Sequence, residues 1–208
     1  DIGHAHTWDF PVHMRAVGGA SAQKVVHQDP RALFDAFVQV GRALVAQGCT
    51  GLTTSCGFLS LMQDDLKDAL GVPFASSSLM QIPMIEAMLP ANQQVGVLTI
   101  SKESLSAAHL HAAGARDDVP VEGLPRDGAF ATAIFEDLPE MDVTACHAEM
   151  CEMAQRLVSK HETVGAIVLE CTNMAPYAAD IAEITGRPVY SIVSFLNWFQ
   201  AGLAPPRF

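Results

Sequence analysis

Two cysteines stand where a β-like run of residues stops and a helical pattern begins. Cys56 follows "GLTTS", and Cys171 follows the apolar run "VGAIVLE". At the carboxyl end of a parallel strand, the backbone N–H groups of the next helix lower the pKa of a thiol and can bind an anion. Each cysteine is therefore a candidate thiolate beside an anion site. Two such thiols facing one cleft would suit proton transfer at both faces of a carbon atom.

The two cysteine segments resemble each other. "CGFLSLMQDDLKDALGVPFAS" begins at Cys56 and "CTNMAPYAADIAEITGRPVYS" begins at Cys171, and they align over 21 residues without a gap. The other identical pairs are Asp65 and Asp180, Gly71 and Gly186, Pro73 and Pro188, and Ser76 and Ser191. This agreement indicates an internal duplication. It favours a chemical role for the paired thiols, whereas Cys49, Cys146 and Cys151 lack such a pairing and are interpreted as core or surface thiols.

The remaining pattern predicts alternating strands and helices. Apolar runs such as "QVGVLTIS", "VGAIVLEC" and "VYSIV" are followed by helical stretches, which is typical of a parallel sheet covered on both faces. Gly48 stands where a helix ends, and Ser101 is positioned to cap the helix after its strand. A long helix is expected from near Asp142, with Val143 and Met150 on its buried side.

We therefore predict the α/β class with two pseudo-symmetric domains, each a parallel sheet flanked by helices, and the active site in the cleft between them. The first domain is expected over residues 1–94, with residues 190–208 packing back on it, and the second over residues 95–189. The repeat places the partner of "VGVLTIS" about 20 residues before Asp1. The opening strand of the first domain is thus expected upstream of this numbering.

Composition narrows the classes of partner. The formal net charge is −11, from 12 basic and 23 acidic side chains, which argues against nucleic acid or an anionic membrane. No apolar run reaches the length of about 18 residues that a membrane span needs, and no signal peptide is evident. Five cysteines, an odd number, suit a reducing compartment. A cytoplasmic location is the expectation.

The motifs "TTSCGF", "LECTNM" and "VGVLTIS", with the two Gly-x-Pro turns, resemble the aspartate/glutamate racemase superfamily. Amino-acid racemases, hydantoin racemases, arylmalonate decarboxylase and maleate isomerases belong to it. The resemblance covers most of the chain from about Leu33. It implies a cofactor-independent enzyme in which one thiolate removes the α-proton of a small carboxylate substrate and the other thiol returns a proton on the opposite face. Cys56 and Cys171 become that catalytic pair.

The same resemblance implies the substrate-binding residues. They are Thr54, Ser55, Gly57, Phe58, Thr99, Ser101, Thr172 and Asn173. Gly57-Phe58 stands where amino-acid racemases often have Asn-Thr, so an apolar side to the pocket is expected and aspartate or glutamate themselves are disfavoured. The decarboxylase branch is expected to lack the first cysteine. The main prediction is therefore a racemase or epimerase acting on an amino acid or a derivative.

Three other functions stay open. A maleate-type cis-trans isomerase would add one thiolate to a double bond, and an arylmalonate-type decarboxylase would use the same fold. A binding protein for small carboxylates would use the cleft without turnover. Ligand-induced stabilisation without α-proton exchange would distinguish that last class from an enzyme.

Other candidate groups receive simpler interpretations. His147 and Cys151 share a helix face, but zinc needs three or four convergent ligands and no Cys-x-x-Cys or His-Glu-x-x-His occurs, so no metal site is expected. The histidine-rich start, with His4, His6 and His13, is a surface or interface loop or a lid. The apolar tail "SFLNWFQAGL" predicts packing across the domains or a homodimer interface.

Overall fold

A computed structural model describes residues 2–207, apart from the side chain of Ala5, and contains two parallel sheets flanked by helices. The strands are β1 Leu52–Thr53, β2 Phe74–Ala75, β3 Gln94–Thr99, β4 Val121–Gly123, β5 Val164–Leu169 and β6 Val189–Tyr190. The α-helices are α1 Ala22–His27, α2 Phe34–Ala46, α3 Gln63–Leu70, α4 Ile82–Glu86, α5 Ala107–Ala112, α6 Ala129–Phe135, α7 Val143–Lys160, α8 Ala178–Thr185 and α9 Ile192–Leu203. Short 3-10 helices span Ala5–Thr7, Pro30–Leu33, Gly57–Met62, Ser78–Gln81 and Thr172–Tyr177.

The larger sheet has the strand order β4-β3-β5-β6, and all neighbouring strands are parallel. Every residue of β5 is buried, because helices cover both faces of a parallel sheet. The smaller sheet pairs β1 with β2, in the register Leu52 to Phe74. The predicted fold class is confirmed.

The internal repeat is confirmed as a structural repeat. In each copy a strand ends near a cysteine, a 3-10 helix leads into an α-helix, and a short parallel strand follows. The helices α3 and α8 both end at a glycine in the left-handed conformation, Gly71 at φ 67° and Gly186 at φ 64°. Glycine carries no Cβ penalty there, so the shared Gly-x-Pro turn has the same physical basis in both copies.

Three details differ from the sequence prediction. β4 was not predicted, because its three residues carry too little periodicity. Ser106, rather than Ser101, is the N-cap of α5, since the chain makes an extra turn after β3. Val143 is 64% exposed although α7 begins where expected with Asp142 as its cap, whereas Met150 is fully buried. Val143 lies on the exposed side of the first turn of α7, whereas Cys146 in the same turn is fully buried.

The C-terminal helix α9 packs on residues from the other end of the chain. A small apolar cluster joins Ile192, Phe195 and Leu196 of α9 to Ile2 and to Ala75 of β2. Trp198 is 59% exposed and stacks on Phe195 with ring centroids 5.9 Å apart. The exact domain boundary and the opening strand upstream of Asp1 stay predictions. Within the described residues, no helix combines the length and apolar character needed to cross a membrane.

Candidate active site

Cys56 lies between β1 and the 3-10 helix Gly57–Met62, of which it is the N-cap residue, with φ −145° and ψ 119°. Burial and the negative charge of Glu170 raise the pKa of this thiol to about 12, although a hydrogen bond from the backbone N–H of Phe58 opposes the rise. Both effects favour the protonated thiol at neutral pH.

Cys171 occupies the equivalent place after β5, as the N-cap residue of the 3-10 helix Thr172–Tyr177. Burial is the largest cause that raises the pKa of its thiol well above the usual value, followed by the charge of Glu170. The backbone N–H groups of Asn173 and Met174 lower the pKa, and a charge on Cys56 would raise it further. The two thiols therefore interact electrostatically across the junction of the two halves.

These pKa directions correct one expectation from the sequence. Backbone N–H groups do donate toward both sulfurs, as a helix start predicts. However, the lowering is outweighed by desolvation and by a neighbouring carboxylate, which both disfavour an anionic sulfur. The surroundings of both sulfurs therefore favour the protonated thiol.

Glu170 is the site residue that sequence reasoning missed. Its side chain is 1% exposed, and its Oε2 accepts a hydrogen bond of 2.8 Å from the hydroxyl of Thr99. Burial raises the pKa of Glu170 to about 7, although hydrogen bonds from Thr99 and the backbone N–H of Ile100 oppose the rise. The signal was available in "LECTNM", where a carboxylate ends an otherwise apolar strand run.

Hydrogen bonds between the halves hold the two cysteine loops together. The hydroxyl of Thr172 donates to the carbonyl oxygen of Ser55 at 2.8 Å. The hydroxyl of Ser78 donates to the carbonyl oxygens of Leu169, at 2.6 Å, and Glu170, at 3.3 Å. The residues just before and after the two thiols are thus fixed to each other, which positions both sulfurs in one site.

The predicted substrate-binding residues divide into two groups. The structure brings six of them to the wall of the cavity that contains both thiols: Thr54, Ser55, Gly57, Phe58, Thr172 and Asn173. It does not bring Thr99 and Ser101 there. Thr99 lies behind Glu170 and donates to it, and Ser101 donates its hydroxyl hydrogen to Ser104 at 2.9 Å.

Within the first group, several side chains already have partners. The hydroxyl of Thr54 donates to the carbonyl oxygens of Ser76, at 2.7 Å, and Cys56, at 3.1 Å. Phe58 is fully buried, and its ring meets that of His109 edge to face at 5.1 Å. Phe58 therefore contributes core packing and a backbone donor. The roles of these residues toward a substrate stay predictions.

The cavity has a volume of about 1000 Å³ and is bounded by both cysteine loops, α2, α9 and the N-terminal segment. Apolar side chains such as Phe37, Leu44 and Phe199 form much of its wall. Arg15 is the one lysine or arginine lining it within residues 2–207. The histidine-rich segment contributes His13 to the cavity wall. His147 and Cys151 lie elsewhere, on α7, where the Cys151 sulfur is 3.7 Å from Nε2 of His147 and His147 contacts Asp180.

The fold is similar to the folds of solved arylmalonate decarboxylase and racemase structures, as the sequence motifs suggested. Arylmalonate decarboxylase superimposes with a TM-score of 0.57 at 18% identity, over 88% of this chain and 81% of that one. Allantoin racemase from Klebsiella pneumoniae gives a TM-score of 0.56 at 22% identity, over 84% of this chain and 69% of that one. At these identities the likeness defines the fold alone.

Curated relatives in sequence carry a different name. The chain is 28% identical over 227 residues to dimethylsulfoniopropionate lyase 7 of Emiliania huxleyi (strain CCMP1516), which covers all of this chain and 64% of that protein. It is 26% identical over 225 residues to the dimethylsulfoniopropionate lyase of Durusdinium sp. clade D, over all of this chain and 71% of that one. The chain thus spans less than two thirds of the first relative's length. No family model matches the chain.

These relatives correct the functional prediction. Relatives named dimethylsulfoniopropionate lyase align over the whole chain, so the main prediction of a racemase or epimerase is wrong. The prediction of an enzyme agrees with both comparisons, because the named relatives and structural neighbours are all enzymes. The motifs identified the fold, but the fold is shared by several reactions and does not select one.

Proposed function

We propose that this chain forms the catalytic core of a lyase that cleaves a β-sulfonium carboxylate of the dimethylsulfoniopropionate type. The observation that carries the proposal is the agreement of relatives of that name along the entire chain. The paired thiols in one cavity support it, because the reaction begins with removal of a proton next to a carboxylate. That first step is the same kind of proton abstraction that the racemase prediction invoked.

The reaction balances with one base. A cysteine thiolate takes the proton from the carbon next to the carboxylate, and that C–H electron pair forms the new C=C bond. The bond between the β-carbon and sulfur breaks, and its electron pair leaves on sulfur as neutral dimethyl sulfide. The other product is acrylate, and the proton remains on the thiol. Racemisation needs a second proton donor on the opposite face, whereas elimination does not.

A cationic substrate addresses the energetic problem of the site. Burial and the charge of Glu170 favour the protonated form of both thiols. A sulfonium cation placed between them would favour the anionic form of a thiol, because a nearby opposite charge lowers the pKa of an acid. The base would then form when the substrate is present, and the apolar wall would exclude water from it.

The test is release of dimethyl sulfide from dimethylsulfoniopropionate, measured by headspace gas chromatography with acrylate followed by NMR. We expect the wild-type protein to release both products in equal amounts. Changing Cys56→Ala and Cys171→Ala separately identifies the base, since its loss should lower the rate by about 100-fold or more. Cys49→Ala is the matched control, because Cys49 is half-buried and lines the same cavity.

Two results would contradict this proposal. One is that the folded wild-type protein releases no dimethyl sulfide from millimolar dimethylsulfoniopropionate. The other is release that survives in a double variant lacking Cys56 and Cys171. In the first case, the same preparation incubated with an arylmalonate would show whether decarboxylation, which the sequence analysis held as an alternative, is the activity.

A further inference from the structure

The proposed function gives no task to Glu170, a buried carboxylate beside the two cysteine loops. Glu170 precedes Cys171 in the chain, and its carboxylate also reaches the loop of Cys56. A Cβ atom at Gly57 would overlap Oε1 of Glu170 and lie 2.6 Å from its carbonyl oxygen. Only glycine fits at position 57 beside this carboxylate. The carboxylate therefore lies directly against the residue that follows one thiol and belongs to the residue before the other.

The two oxygens of this carboxylate have different surroundings. Oε2 accepts the 2.8 Å hydrogen bond from Thr99, and the backbone N–H of Ile100 also donates to the carboxylate. Oε1 faces Gly57 in the Cys56 loop. The hydroxyl oxygen of Ser77 also lies close to the position that a Cβ atom at Gly57 would occupy. One oxygen is anchored in the second half of the molecule, and the other lies at the junction with the first half.

We propose that Glu170 is the proton acceptor for the two thiols, so that Cys56, Glu170 and Cys171 share one negative charge. This inference rests on the proposed function. Glu170 does not act on the substrate itself but through the thiols, whose proton it accepts. The step transfers the S–H proton of a cysteine to the Glu170 carboxylate, which leaves a thiolate and a neutral carboxyl group. After elimination the proton on the thiol is balanced by one that Glu170 releases to water.

The advantage of this transfer is electrostatic. Ionising a buried thiol by losing its proton to water would place a second negative charge beside Glu170, at a large desolvation cost. Moving the proton from sulfur to carboxylate keeps the total charge of the site unchanged. It also removes the repulsion that raises the pKa of both thiols. The negative charge of Glu170 acts on both Cys56 and Cys171.

The decisive variant is Glu170→Gln, which keeps the shape and can still accept the hydrogen bond of Thr99. We expect two opposite effects. Without added substrate, alkylation of Cys56 and Cys171 by iodoacetamide at pH 8 should become faster, about tenfold for each unit by which the thiol pKa falls. In turnover, kcat for dimethyl sulfide release should fall by about 100-fold or more, with KM nearly unchanged. Peptide-resolved mass spectrometry separates these thiols from Cys49, Cys146 and Cys151.

A second variant keeps the carboxylate and changes only its support. Thr99→Val removes the hydrogen bond that favours the charged form of Glu170. If ionised Glu170 accepts the proton, the rate rises with pH through its ionisation, and Thr99→Val should move this rise to higher pH. Glu122→Gln is the control, because Glu122 is also a buried carboxylate. It lies in β4 and is ion-paired with Lys160 of α7 rather than placed against a cysteine loop. Its pH profile should match the wild type.

The outcomes separate this inference from the proposed function. If the wild type releases no dimethyl sulfide, the proposed function fails, and alkylation still reports whether Glu170 couples to the thiols. Unchanged alkylation in Glu170→Gln, or full turnover with an unshifted pH profile, overturns the role of Glu170 while leaving a lyase intact. If Glu170→Gln does not fold, the pH profile of Thr99→Val decides, and an unshifted profile rejects the proton acceptor.

Discussion

The hydroxyl of Thr172 donates to the carbonyl oxygen of Ser55 at 2.8 Å and joins the residue after one thiol to the residue before the other. Thr172 is 2% exposed, so its partner cannot simply be replaced by bulk water. The bond is a direct link between the two cysteine loops.

Thr172→Val should therefore affect activity more than stability. We expect the free energy of unfolding to fall by about 0.5–1.5 kcal/mol, because a part-buried hydrogen bond is lost. The rate of dimethyl sulfide release should fall further than the folded fraction explains. Urea denaturation and headspace chromatography measure the two effects. Thr185→Val is the matched control, since Thr185 donates to the carbonyl of Ile181 at 2.6 Å within α8. Equal activity losses in both variants would contradict a specific role for the link between the halves.

Gly57 should tolerate no side chain. Gly57→Ala places a methyl group against the carboxylate and carbonyl of Glu170, and the backbone carbonyl cannot swing aside as a flexible side chain can. We expect a loss of about 1–3 kcal/mol in unfolding free energy and a strong loss of turnover. Gly202→Ala in α9 is the control, because nothing lies within 4 Å of its added Cβ. A helical glycine replaced by alanine should be neutral or slightly stabilising, and a similar result at Gly57 would refute the close contact.

Glu170 should destabilise the folded protein as the pH rises. Its pKa is about 7 in the folded protein against an ordinary value of 4.5, so the folded state binds the proton more tightly. The contribution of Glu170 to the free energy of unfolding is fully present below the pKa of the unfolded state. It is lost as the pH rises from about 4.5 to 7, by at most about 3 kcal/mol. Urea denaturation at pH 5 and pH 8 measures this loss, and Glu170→Gln should remove the dependence.

Glu122 provides the opposite sign for comparison. Burial raises its pKa, but the hydrogen bond from Lys160 and the charges of Lys102, Lys160 and Arg156 lower the pKa below its ordinary value overall. Its contribution is present above the unfolded pKa and is lost as the pH falls. Glu122→Gln should therefore destabilise the protein near pH 7 and have less effect in acid. If both glutamine variants changed stability in the same direction at pH 8, the assigned environments would be wrong.

The register of α7 can be tested with two of its apolar residues. Met150→Ala should cost about 2–5 kcal/mol in unfolding free energy, because the side chain is fully buried and its loss leaves a cavity. Val143→Ala should change stability by about 0.5 kcal/mol or less, since Val143 is 64% exposed. Thermal and urea denaturation give the values. Comparable losses at Val143 and Met150 would instead support the sequence prediction, in which both side chains lie on the buried side of the helix.

Local patterns were sufficient to predict the repeat. The positions of Cys56 and Cys171 at strand ends, and the left-handed turns at Gly71 and Gly186, follow from residue types within short segments. The fold class followed from the alternation of apolar runs and helical spacing. The reaction did not, because proteins of the same fold carry out several chemistries, and the names of the sequence relatives favour a different reaction from the one the motifs suggested.

The sequence by itself determined where each thiol would lie along its strand, since that depends on neighbours a few residues away. Only the tertiary structure decided the state of those thiols. Glu170 raises the pKa of Cys56 although the two residues are more than a hundred positions apart in the chain. Desolvation of a thiol likewise depends on every group that surrounds it. A helix start favours a thiolate through local N–H groups, but burial and a distant carboxylate oppose it more strongly. Those forces arise from packing, which no local motif encodes.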